Sequence, residues 1–166
     1  METKPSDGST FRLLFVCTGN TCRSPMAEVI ARQRAEELGW RHVEVASAGV
    51  AAFDGSPASE GALRAAEAHG LDLSAHRSRL LTQPVARQAD LILTMSPDHL
   101  MRVVELSGGE RAALLTSYAG GHPGGFPAAS VPDPIGGSDE EYGETFRLLR
   151  ELIDRVLERL QPALSR

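Results

Sequence analysis

Cysteine is scarce in this chain, with two in 166 residues. That is too few for a disulfide scaffold, so a packed core must hold the fold, and a reducing, cytoplasmic compartment is the expectation. No apolar run approaches the roughly 18 to 20 residues that a membrane-spanning helix needs, so no membrane partner is expected. Positive charge is not in excess either. Seventeen Lys and Arg stand against 22 Asp and Glu, for a net charge of −5. That balance argues against a general nucleic-acid binder, which carries a basic surface. The five histidines show no metal-ligand spacing. The first ten residues, METKPSDGST, lack the apolar centre of a signal peptide and read as a disordered tail over residues 1–10.

Hydrophobic residues make up 42% of the chain, enough for one core, and residues 11–166 read as a single domain. Short apolar runs at 11–16, 42–48, 90–95 and 111–116 read as strands buried on both faces. Helical patterns fall between them, at 24–38, 59–69, 84–88 and 97–106. A last helix carries an apolar stripe at Tyr142, Phe146, Leu149, Ile153, Val156 and Leu160. Alternating strands and helices predict an α/β fold, a doubly wound four-stranded parallel sheet with helices on both faces. One segment breaks the alternation. Residues 118–137 hold six glycines and four prolines and end in VPDPIGG. A loop of that length inside a domain is often functional.

The other unusual stretch is FVCTGNTCRSPMAE, residues 15–28. A strand ends at Cys17, and a helix begins six residues later near Arg23 and Ser24. Ligands of open parallel sheets sit at the carboxyl ends of strands. A loop entering a helix N-terminus aims backbone N–H groups and the positive end of the helix dipole at one point, which favours an anion there. Gly19 offers the backbone freedom that such an N–H nest needs. Arg23 adds a planar fork for two phosphate oxygens. The same positive field favours a thiolate at Cys17, and a thiolate under a bound phosphoryl group is a nucleophile in position. The bland alternative is a buried structural cysteine before an ordinary loop. In the second loop, Asp133 lies between Pro132 and Pro134. It reads equally as a turn residue or as the acid that protonates a leaving group.

CTGNTCRSP closely resembles the signature of the low-molecular-weight protein tyrosine phosphatases. SAG at 47–49, LSAHRSR at 73–79, ADLILTM at 89–95 and DPIGG at 133–137 follow in that family's order. The resemblance implies a phosphatase that forms a phosphocysteine on Cys17, with Arg23 binding the phosphoryl group and Asp133 as general acid and base. Thr18, Gly19, Asn20, Thr21, Cys22 and Ser24 would form the phosphate-binding loop. Ser24 would donate to the thiolate, Asn20 would brace the loop, and Ser47 and His76 would hold Asn20. Cys22 would form a reversible disulfide with Cys17 that shields it from overoxidation. Phosphorylated proteins are the expected partners and a monomer is the default. No cofactor is implied, because loop N–H groups and Arg23 carry the charge stabilisation.

Thr21 stands where tyrosine phosphatases of the family usually carry a bulky aliphatic residue, and Ile135-Gly136-Gly137 replaces the aromatics that often follow the Asp-Pro. Thr21 and the CTGNTCRSPMAE string resemble the bacterial protein-arginine phosphatase branch, and the loss of aromatic walls weakens stacking for a phenyl ring. A threonine hydroxyl orients a guanidinium nitrogen, which an isoleucine cannot do, so Thr21 is the expected specificity residue. Against this, Ala51 and Ala52 follow SAGV where the arginine-specific relatives place an aromatic, and the glycine-rich loop is longer than expected. Phe53, Tyr118, Phe126 or Tyr142 remain candidates to wall a phenyl slot for phosphotyrosine. An arsenate reductase would need further cysteines downstream, and none follows Cys22. A noncatalytic phosphate-binding module and a thiol-redox protein remain as other classes.

Overall fold

Phe11, Leu13, Phe15 and Cys17 alternate with Leu14 and Val16, and the period of two sends them to opposite faces of a strand. In a computed structural model, which describes residues 10–120 and 130–164, these residues form β1 (Phe11–Cys17). The odd positions enter one core with α1 (Arg23–Glu37) and α6 (Asp139–Leu164). Leu14 and Val16 enter a second cluster on the other face, with Ala86 of α3 (Gln83–Gln88) and Val103 of α4 (Pro97–Ser107). The alternation therefore puts the Cys17 side chain on the same face as α1, the helix that begins after the loop.

The sheet is parallel with the order β2-β1-β3-β4. β1 lies between β2 (Val43–Gly49) and β3 (Leu91–Thr94), and β4 (Ala112–Leu114) is the edge. The chain moves outward from β1 to β2, passes through α2 (Glu60–Ala68) and α3, and returns on the other side of β1 as β3. Helix-starting loops after β1 and β3 thus leave the carboxyl ends of adjacent strands in opposite directions. The crevice between them is where this topology binds ligands. The predicted doubly wound parallel sheet is present.

The predicted elements differ from the structure mainly at their ends. The run read as a strand to Thr116 stops at Leu114 and becomes a helical turn, α5 (Leu115–Tyr118). Leu115 and Tyr118, three residues apart, both enter the core cluster on the α1 face, which a helical turn allows and the period of two of a strand does not. The last helix extends beyond the apolar stripe at both ends, from Asp139 to Leu164. Its stripe supplies Phe146, Leu149, Leu152, Ile153 and Val156, all fully buried. Ser59 and Thr82 cap α2 and α3 by accepting from Ala62 N and Val85 N. Of the expected tail only Thr10 is described; residues 121–129 of the glycine-rich loop, with His122 and Phe126, also lie outside the described residues. Among the described residues no helix is long and apolar enough to cross a membrane.

One contact of the fold shapes the loop after β1 directly. Gly49 ends β2 beside Cys17, and a Cβ on it would lie 2.4 Å from Thr18 O and 2.9 Å from Asn20 N. These are backbone atoms and have no flexible end to swing away. Gly49→Ala is therefore expected to lower stability by about 1–3 kcal/mol, the cost of forcing a methyl into close-packed surroundings. Urea unfolding measures this, and an unchanged midpoint would contradict the close approach.

Candidate active site

The loop from Thr18 to Cys22 is held open around Asn20. Asn20 has φ 57°, the left-handed conformation that asparagine tolerates better than most residues. Gly19, expected to supply this freedom, is not in that region; asparagine takes the position because its own amide is bonded on every side. Asn20 Nδ2 donates to Ser24 Oγ at 2.8 Å and to Ser47 Oγ at 2.9 Å, and its Oδ1 accepts from Arg79 N at 2.9 Å. The Asn20 carbonyl accepts from His76 Nε2 at 2.7 Å, which places the imidazole proton on Nε2. Asn20 is fully buried.

These bonds fix directions as well as positions. Ser47 Oγ donates to Glu28 Oε1 at 2.6 Å, so it can accept from Asn20. Ser24 Oγ accepts from Asn20, so its own proton goes to Cys17 Sγ, 2.9 Å away, or to the more distant Ala48 O at 3.5 Å. A chain of donors therefore runs to the thiol and suits a thiolate, which only accepts. Glu28 is itself paired with Arg32 one turn on.

Arg23 begins α1 and is nearly buried. Its NH1 donates to Val131 O at 3.0 Å, and its NH2 reaches Thr18 Oγ1 at 3.3 Å and Asp133 Oδ2 at 3.4 Å. Arg23 Nε is buried with no partner among the described residues. No backbone N–H from Thr18 to Arg23 donates to another described residue. A buried guanidinium edge and a run of unpaired N–H groups are costly unless an anion takes them up. Asp133, half-exposed, also accepts from Ile135 N at 3.1 Å. The late Asp-Pro loop is thus brought to the cysteine loop, 110 residues earlier in Arg23. The two thiols face different partners. Cys22 Sγ lies 3.3 Å from both Ser59 Oγ and Tyr142 OH. Burial, then the contact with Cys22, pushes the Tyr142 phenol up. Both cysteines are free thiols.

Of the aromatic residues weighed for a phenyl slot, Tyr142 points to Cys22, and Tyr118 is buried with Arg159 over its ring. Phe53 alone among the described three is exposed, at 84%. It sits on the segment after β2 that is tied to the cysteine loop through Val50 N to Cys17 O and Ala51 N to Thr18 O.

Residues 12–166 match the family described as low molecular weight phosphotyrosine protein phosphatase. The chain belongs to this family. It is 38% identical over 153 residues to a protein-arginine-phosphatase of Geobacillus stearothermophilus, covering 91% of this chain and 97% of that one. It is 36% identical over 148 residues to a low molecular weight protein-tyrosine-phosphatase of Streptomyces coelicolor, covering 84% and 87%. A structure of the YwlE arginine phosphatase with a phosphorylated active-site serine superposes with a TM-score of 0.82 at 34% identity, covering 91% of this chain and 96% of that one. The protein is therefore a phosphatase, and the family acts on phosphorylated proteins.

Several site residues escaped the sequence reading. Ser59 and Arg79 touch the loop only after folding, and Glu28 reaches it through Ser47. His99, in the first turn of α4, touches it directly. His99 Nε2 lies 2.9 Å from Thr18 Oγ1, and the residue is 3% exposed. The signal available for it was position, since α4 begins where β3 ends, across the crevice from β1. Burial, and then the Arg23 charge, push the His99 imidazole down from 6.5 to about 4. The sign of the consequence is set by the unfolded chain, which binds a proton below pH 6.5 that the native protein refuses until about pH 4. Stability from this group is complete above the upper value and falls as pH drops through the window, by up to about 3 kcal/mol. Urea unfolding across that window should show a shallower loss in His99→Gln than in the parent. Equal slopes would show that His99 titrates normally.

Proposed function

We propose that this phosphatase hydrolyses phosphoarginine in proteins through a phosphocysteine on Cys17. The phosphoryl oxygens occupy the loop N–H groups and the free Nε edge of Arg23. The Cys17 thiolate attacks phosphorus in line, the S–P bond forms and the P–N bond breaks. The nitrogen keeps the P–N electron pair and takes the proton of Asp133, so arginine leaves as a guanidinium and Asp133 becomes a carboxylate. Water then attacks the phosphocysteine and yields its proton to Asp133. The S–P bond breaks, and Ser24 donates to the returning thiolate. General acid help of this kind is worth about 10² to 10⁴ in rate. Cys22, buried against Ser59 and Tyr142, is the proposed resolving thiol, which must leave those partners to pair with Cys17.

The observation that carries the choice of phosphoarginine is Thr21. It is half-buried within the loop proposed to hold the phosphoryl group, and its Oγ1 lies 3.8 Å from Cys22 Sγ. A hydroxyl there accepts from a guanidinium, and an alkyl group does not. The relative from Geobacillus named for this activity supports the reading. The second reading, phosphotyrosine, is favoured by the exposed ring of Phe53 and by the Streptomyces relative.

Thr21→Ile is expected to move the ratio of kcat/KM for a phosphoarginine peptide over a matched phosphotyrosine peptide at least about tenfold toward phosphotyrosine, the loss of one hydrogen bond to a charged group. A parent ratio below one would assign the second reading. An unchanged ratio in the variant would remove Thr21 as selector. Asp133→Asn should cut kcat by about 10² or more on either substrate; retained turnover would exclude it as the acid.

A further inference from the structure

We propose that His99 is a positioning residue for the phosphatase reaction: through Nε2–H it holds the Thr18 hydroxyl as an acceptor for Arg23, and so fixes the guanidinium at the anion loop. This rests on the site reading given above.

The tautomer follows from burial. His99 Nδ1 is buried with no partner among the described residues. A buried N–H without an acceptor is the costlier orphan, so the single proton of the neutral ring belongs on Nε2. Nε2–H then donates to Thr18 Oγ1 at 2.9 Å, and Arg23 NH2 donates to the same oxygen at 3.3 Å. Both acceptor positions of the hydroxyl are taken, and the Thr18 rotor is locked from two sides. Without His99, Thr18 is an exposed residue whose hydroxyl is free to turn away.

The consequence falls on Arg23. Its NH1 is fixed by Val131 O, while NH2 depends on Thr18 and on Asp133, a residue the reaction protonates and deprotonates. Thr18 is therefore the one partner of NH2 that keeps its hydrogen bond through the cycle. A guanidinium that swings by a fraction of an ångström loses the alignment of its Nε edge with the phosphoryl oxygens. The ring must also stay uncharged, because an imidazolium would set a second buried cation beside Arg23. The charged groups that act on it are Arg23, Asp98 and Asp133; burial and Arg23 prevail and keep it neutral down to about pH 4.

The test is turnover of a small aryl phosphate and competitive inhibition by inorganic phosphate, in parent, His99→Leu, His99→Gln, Thr18→Val and the His99→Leu/Thr18→Val double variant. His99→Leu is expected to lower kcat/KM about tenfold and to weaken phosphate inhibition in step, the worth of one hydrogen bond in a charged network. His99→Gln, whose amide N–H reaches the place of Nε2, should recover most of both. The double variant should be no worse than Thr18→Val, because the two residues act through one contact. Unchanged phosphate inhibition in His99→Leu, no advantage of Gln over Leu, or multiplying effects in the double variant would each overturn the proposal. Ring-nitrogen NMR of the parent supplies an arm that needs no variant to fold: a proton on Nε2 supports the contact as drawn, and one on Nδ1 overturns it. Cys17→Ser separates the two levels, because turnover that survives it sinks the site reading itself, whereas its loss beside an indifferent His99→Leu sinks only the role of His99.

Discussion

Asn20 stands in a left-handed conformation inside a loop that must curl within five residues, and it is fully buried there. Such a residue persists only if its surroundings over-determine it. Four neighbours do so, from three parts of the chain: Ser24 in α1, Ser47 in β2, and His76 and Arg79 in the segment before α3. Each bond satisfies a buried polar group, so the network is complete rather than partial, the condition under which buried polarity gives rigidity instead of cost. The loop shape then follows. Its N–H groups donate to no other described residue, Cys17 stands at its start, and Arg23 begins the helix after it.

The fold supplies what the loop alone cannot. Period-two alternation in β1 puts Cys17 on the α1 face, and parallel pairing with β2 brings Gly49 against the loop backbone. The return of the chain to β3 sets α4 across the crevice, which is how His99 comes within 2.9 Å of Thr18. Charge at the site is held almost out of water on one side, by buried Arg23, and half in water on the other, by Asp133. That asymmetry suits a fixed anion binder facing a proton carrier that must exchange with solvent.

Much of this was legible in the residues, and the reason is locality. Cys17, Arg23 and Ser24 share one short loop whose spacing carries their geometry, and the alternation of short apolar runs with helical stripes carries the sheet. The assignment of Asp133 to the same site as Arg23 comes from a resemblance, and the two lie 3.4 Å apart. What escaped is long-range or competitive. Glu28, Ser59, Arg79 and His99 reach the site through contacts that no local pattern marks. Gly19 reads as the source of the loop's backbone freedom because glycine is permissive; hydrogen bonding to the Asn20 side chain puts the left-handed conformation at Asn20 instead. The strand expected at 111–116 stops short because Leu115 and Tyr118 both enter the core cluster on the α1 face, as a helical turn allows and the period of two of a strand does not.

The central claim is that a phosphoryl group passes through Cys17. The most direct test is to acid-quench the enzyme during turnover of a phosphoarginine peptide and to locate any protein-bound phosphate by mass spectrometry and phosphorus NMR. The account predicts one phosphoryl group in thioester-like S–P linkage on the peptide that contains Cys17, lost on longer incubation. Turnover with no phosphate on that peptide, or with phosphate on another residue, would contradict it.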